Sequence, residues 1–213
     1  MIDDSTPHAA ALNMAIDEVL LQTMRVPLLR FYRWEAPSVS FGYFGRFDEA
    51  ELFAGGRTLV RRWTGGGIVP HGDDFTYSLI IHATDPAYQL SSGEIYRAVH
   101  EAIIRSLRSI GIQASLAPEA APKITDSCFA NPVVADVIEA GRKVAGAAHR
   151  KTRAGLLHQG SIQRDRLGGE FREEFAATLS TRTNLEEISA GTFEAAKMLA
   201  AEKYSTEAWL RRQ

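Results

Sequence analysis

The sequence has a single cysteine, Cys128, among its 213 residues. One thiol excludes a disulfide within the chain, and without partner cysteines nothing points to a structural zinc site, so no metal is expected. Charge of one sign is missing too: 24 Lys and Arg stand against 26 Asp and Glu, for a formal net charge of -2. That balance gives no electrostatic case for nucleic acid or a membrane surface as partner, and any basic function must be local. No run approaches the roughly 18 apolar residues needed to cross a bilayer, and the N-terminal MIDDSTPHAA lacks a basic segment followed by an apolar one. A soluble, cytoplasmic protein is expected. Repeats, low-complexity tracts and an obvious linker are also absent. With 45% hydrophobic residues the chain can bury a substantial core, and one domain over residues 1–213 is expected.

Helix and strand patterns alternate along the chain. Thr6 and Pro7 suit an N-cap and first helical position, followed by Leu12, Ile16, Val19, Leu20 and Met24 at helical spacing. LLRFYRW and SVSFGYF read as strands separated by EAPS, and RTLVRRW and DFTYSLIIH read as strands flanking a glycine run. The best helix signal is SSGEIYRAVHEAIIRSLRSIG: Ser91 and Glu94 form a capping box, an apolar stripe follows, and Gly111 stops it. This helix is read as scaffold. VVADVIEAGRKVAGAAHR and AGLLHQGSI give a strand, a turn at Ala140-Gly141 and two further strands, and the rest, from Asp165, is largely helical.

The glycine run lies in RRWTGGGIVPHG. Gly65, Gly66 and Gly67 lack a Cβ, so the backbone can take positive φ and let another group approach its N–H donors. A Walker-type phosphate loop is excluded, because Ile68, Val69 and Pro70 follow where a lysine, a hydroxyl and a helix are needed. A hairpin turn and a cradle for an acyl or phosphate group both remain open. Arg61 and Arg62 could hold a carboxylate or phosphate, but strand neighbours point to opposite faces, so at most one lines a given pocket. Cys128, in the turn-rich DSCFANP, is either apolar filler or a nucleophile. Lys143 sits in a predicted strand before the small residues Ala145 to Ala148. It is either a solvated charge or an ammonium that favours a nearby thiolate. His71 and His158 are candidates for proton transfer, with no carboxylate or second histidine at a metal-ligand spacing.

RFYRWEAPSVSFGYF, VRRWTGGGIVPHGDDFTYSLI and GRKVAGAAHRKTRAGLLHQGSI, in this order, resemble the biotin/lipoate ligase and lipoate/octanoate transferase superfamily. The likeness runs from NMAIDEVLL to AEKYSTEAWLRR, and is nearest to the cysteine-dependent octanoyltransferases. It implies an α+β fold: a mixed, mainly antiparallel sheet with a smaller second sheet, helices packed outside, and the acyl chain in a tunnel between the sheets. By resemblance Arg62, Gly65, Gly66, Gly67, His71 and Gly146 border the substrate, while Lys143 and Cys128 form the reactive pair.

The resemblance implies transfer of an octanoyl or lipoyl group from acyl carrier protein, through an acyl-cysteine, to a lysine of a lipoyl-carrier protein. Such acceptors include the glycine cleavage H protein and the E2 subunits of 2-oxoacid dehydrogenases. No cofactor is implied. No C-terminal accessory domain of the kind that many ligases carry or recruit is expected, and that expectation favours transfer. Gly67 and GGGIVPHG are closer to the ligases, which leaves open a ligase that uses ATP with Mg²⁺ and an acyl-adenylate, with a separate accessory subunit. A non-catalytic acyl- or carrier-binding module is the third reading.

Overall fold

In this computed structural model the structure describes residues 1–119, 133–164 and 167–212. The elements run β1 (Ile2–His8), α1 (Ala10–Thr23), β2 (Leu28–Trp34), β3 (Ser38–Phe41), α2 (Phe47–Ala54), β4 (Thr58–Arg61), β5 (Val69–His71) and β6 (Phe75–His82). Then follow α3 (Ser92–Ser109), β7 (Ser115–Leu116), β8 (Val137–Glu139), β9 (Arg142–Lys151), β10 (Gly155–Ile162), α4 (Gly169–Leu179), α5 (Ala190–Leu199) and α6 (Glu207–Leu210).

Seven strands form a large sheet in the order β1-β2-β6-β10-β9-β8-β7, and three form a small one, β4-β3-β5. Among the described residues only the β1–β2 pair of the large sheet is parallel. The mixed, mainly antiparallel α+β fold with a second small sheet is therefore the one observed. Period-2 alternation sorts the large sheet into two faces. Phe31, Tyr77, Leu79, Leu156 and Ile162 pack with Ile95, Val99, Ile103 and Leu107 of α3 and with Phe171 and Phe175 of α4. Leu28, Tyr32, Trp34, Ile80 and Leu157 face the other way, toward Met14, Ile16 and Leu20 of α1.

The capping box of α3 is present: Glu94 N–H donates to Ser91 Oγ at 3.3 Å and Ser91 N–H to Glu94 Oε2 at 2.8 Å. Ala140 and Gly141 make the expected turn, both with positive φ. Two expectations need correction. Thr6 and Pro7 do not start a helix; they lie in β1, and α1 begins at Ala10. β1 is an edge strand whose pairing slips between Asp4 and Pro7, a position where a residue without an N–H leaves no ladder bond unmade. SVSFGYF is a strand only as far as Phe41, because Gly42 turns onto the glycine loop: a Cβ there would lie 2.1 Å from the Gly66 oxygen.

Candidate active site

The glycine run leaves β4 and returns as β5 on the far side of β3, so it crosses the end of the small sheet. Gly66 has a φ of 87°, which a side chain would strain. Its neighbour Thr64 is pinned through the interior: Thr64 Oγ1 donates to Gln159 Oε1 at 2.8 Å, and Gln159 Nε2 donates to Asp17 Oδ2 at 2.8 Å. Asp17 also receives buried Arg30 at 2.8 Å and Ser78 Oγ at 2.8 Å. A carboxylate on α1 thus fixes the loop to β10 and β6.

A narrow slot separates the two sheets. One register row of the large sheet, Gly146–Ser161–Thr76–Tyr32, forms its floor from β9 to β2. Three strand spacings make this row about 14 Å long. Ser40, Val69 and His71 of the small sheet line the opposite wall, and Arg62 and Gly66 line one side. The open volume in this conformation is about 30 Å³, which matches one water.

At the β9 end, Lys143 is buried, and its Nζ lies 2.8 Å from Asp136 Oδ2. A Cβ on Gly146 would come within 2.5 Å of Lys143 Cε and 2.7 Å of its Nζ, so the missing side chain leaves the amine its place. β8 pairs with β9 only as far as Ala145. Beyond it, Tyr96 of α3 takes over the edge: its hydroxyl accepts from Ala147 N–H at 3.3 Å and donates to Asp136 Oδ1 at 2.5 Å. Burial and then Asp136 raise the Tyr96 hydroxyl far above its ordinary range, so it remains a donor. His100, one turn on, meets the Ala135 oxygen through Nδ1 at 2.6 Å. The helix read as scaffold therefore also holds the segment that holds Lys143.

At the β2 end, Arg62 Nη1 donates to Ser40 Oγ at 2.6 Å, while its Nη2 meets the Gly65 and Gly67 oxygens at 2.9 and 2.8 Å. Ser40 Oγ is 2.6 Å from His71 Nε2, and His71 Nδ1 is 2.7 Å from Asp74 Oδ2. Trp34 stacks on His71 at 4.0 Å. Burial raises the Asp74 carboxyl, but His71, the bond from Ser161 and Gly72 N–H outweigh it and hold the group below its usual range.

The expected residues are thus partly brought together. Arg62, Gly66, His71 and Gly146 line the slot, Lys143 sits at its end, and Gly65 and Gly67 serve it by accepting from Arg62. Cys128 lies outside the described residues. Arg61 turns away, as strand alternation requires, and binds carbonyls of Trp209, Leu210 and Arg212. His158 is on the opposite sheet face, beside Tyr77, His100 and His149. Burial, then His100 and His149, push it far down, so it is neutral. Asp136, Tyr96, Ser40 and Asp74 were not singled out from sequence. The carboxylate in VVADVIE and the one three residues after His71 were visible, but nothing local tied them to the site.

Residues 9–187 match the profile of the lipoyl protein ligase A/B catalytic domain. The chain belongs to this family. Octanoyltransferase LipM of Oceanobacillus iheyensis is 36% identical over 168 residues, covering 75% of this chain and 62% of that protein. Octanoyltransferase LipM of Kyrpidia tusciae is 38% identical over 173 residues, covering 74% and 63%. The chain thus spans somewhat under two thirds of these relatives' length. Among solved structures, a Thermoplasma acidophilum protein described as a lipoate protein ligase, with lipoic acid bound, superposes with a TM-score of 0.78 at 23% identity, covering all of both chains. A lipoate-protein ligase A bound with ATP gives 0.77 at 23% identity, covering 99% of this chain and 97% of the other. These likenesses fix the lipoyl protein ligase A/B fold. Among its described residues no helix is long and apolar enough to cross a membrane.

Proposed function

We propose that this chain transfers an octanoyl group from the thioester of acyl carrier protein to a lysine of a lipoyl-carrier protein, in the cytoplasm and without a cofactor. The observation that carries the reading is the Lys143 amine, held by Asp136 above Gly146 at the end of a slot between the sheets. The identity to octanoyltransferases over three quarters of the chain supports the same reaction. In this reading the Cys128 thiolate, favoured by the ammonium, attacks the thioester carbonyl, and Lys143 stabilises the oxyanion. The carrier's thiol leaves, and the acceptor lysine's amine then displaces Cys128 to form the amide. An acyl chain must part the lining side chains, because the open volume between them is about 30 Å³.

Intact-protein mass spectrometry after incubation with octanoyl acyl carrier protein tests the reading. An octanoyl adduct that vanishes in Cys128→Ala is expected, and a Cys128→Ser variant is expected to lose transfer while remaining folded. Full turnover by Cys128→Ser would sink the covalent route. One feature favours a second reading: the run GGGIVPHG with Gly67 is ligase-like. Adenylate formed from free lipoate and ATP with Mg²⁺, with no adduct on the protein, would select it.

A further inference from the structure

The row that floors the slot starts under the Lys143 amine at Gly146 and ends on β2 at Tyr32, about 14 Å away. An extended saturated chain advances about 1.25 Å per carbon, which makes an octanoyl group about 9 Å long from carbonyl to methyl. Contact distances of about 3 Å at the amine and about 3.5 Å at an aromatic ring take up the rest of the row, to within about one carbon. Tyr32 and Trp34 also border a second open volume of about 380 Å³, beside the place where the pairing of β1 with β2 slips, with Phe31, Phe75 and Leu167 in its lining. These two rings therefore stand between the slot and further room. Trp34 is tied in place by the bond from its Nε1 to Thr76 Oγ1 at 2.8 Å and by its stack on His71. Tyr32 is held by its ring instead: the Arg30 guanidinium lies 4.2 Å from the ring centre and is itself fixed by Asp4, Asp17 and Asn13. Among the described residues the Tyr32 hydroxyl makes no hydrogen bond.

We infer that Tyr32 sets the length of the acyl chain: its ring closes the β2 end of the slot, so that a saturated chain of about eight carbons reaches from Lys143 to the ring and a longer one is refused. The inference rests on the acyl-binding reading of the slot. It goes beyond that reading in naming the residue that measures the chain. A chain four carbons longer has about 5 Å more to place. With the ring in position it must buckle against packed walls or leave methylene groups in water. Each methylene left out forgoes the burial that otherwise favours a longer chain, about fourfold in affinity.

Calorimetry with octanoate and dodecanoate on the full chain measures the selection without turnover. The wild type is expected to bind octanoate roughly tenfold or more tightly than dodecanoate, and Tyr32→Ala, which opens the slot toward the second volume, to bind dodecanoate the more tightly. Tyr32→Phe keeps a ring on the Arg30 guanidinium and is expected to keep the preference for octanoate, whereas a general loosening of the fold would not separate the two variants. A wild type that binds dodecanoate as tightly as octanoate, or binds neither acid, overturns the inference. So does an unchanged preference in folded Tyr32→Ala, or a Tyr32→Phe that prefers dodecanoate. If Tyr32→Ala does not fold, NMR of the wild type with octanoate bound decides: a nuclear Overhauser contact between the terminal methyl and the Tyr32 ring is expected, and a methyl that meets only residues at the β9 end overturns the inference. Length selection found without octanoyl transfer would remove the proposed reaction and leave this inference standing.

Discussion

Gly146 on β9 and Gly160 on β10 sit on adjacent strands but face opposite sides of the large sheet, and each keeps clear a space that a methyl group would fill. At Gly146 the intruded atoms are the far end of Lys143, a flexible side chain; at Gly160 they are the Tyr77 ring, 2.2 Å from an added Cβ, packed edge-on against Phe175. An amine can swing away from a methyl group, whereas a ring locked in a close-packed core cannot. The same residue type therefore leaves room for a buried amine on one face and for a packed ring on the other.

The largest effect is expected where the slot face is emptied. Lys143→Ala should lower the rate of acyl transfer by about 10²- to 10⁴-fold in single-turnover assays. It also strands the buried Asp136 carboxylate, so a stability loss of about 3 kcal/mol should accompany it in denaturant titration. Adding Asp136→Asn should recover most of that stability and none of the transfer. Gly146→Ala comes next, with transfer reduced about 10²-fold by displacement of the amine and little change in melting temperature. Gly160→Ala should do the reverse, costing about 1–3 kcal/mol with transfer per folded molecule unchanged. Equal melting-temperature losses in the two glycine variants would erase the contrast.

The smallest expected effect concerns pH. Burial pulls the His100 pKa down to about 4 from an ordinary 6.5, despite the opposing pull of the Ala135 oxygen and Asp136. Between those values the unfolded chain binds the proton that the folded chain refuses, so stability falls as pH drops from 6.5 toward 4 and this contribution then levels off. His100→Gln, which keeps a donor for the Ala135 oxygen, should flatten part of that slope in thermal melts.

Most strands, the long capped helix and the turn at Ala140-Gly141 were legible because each depends on spacing and local chemistry within a few residues. The start of α1 was misread because Thr6-Pro7 is a sound local helix signal that lost to pairing with β2. Arg62, His71 and Lys143 could be singled out from charge beside glycine and small residues. Their partners could not, since Asp136 meets Tyr96 across 40 residues and Asp74 meets Ser161 across 87. Nor did the sequence distinguish His158 from His71, because which sheet face each occupies depends on register.

By itself the sequence determined the alternation of elements, the glycine loop that can take positive φ at Gly66, and the positions of the charged groups available for chemistry. Periodicity and backbone sterics act over a few residues, so they can be read in order along the chain. Only the tertiary structure decided that Asp136 would hold Lys143 above Gly146 and that Asp74 would gather Ser161, Thr76 and His71 behind the slot. Those choices follow from which strands pair and which face turns inward, and the buried carboxylates take the partners that the folded chain brings within reach.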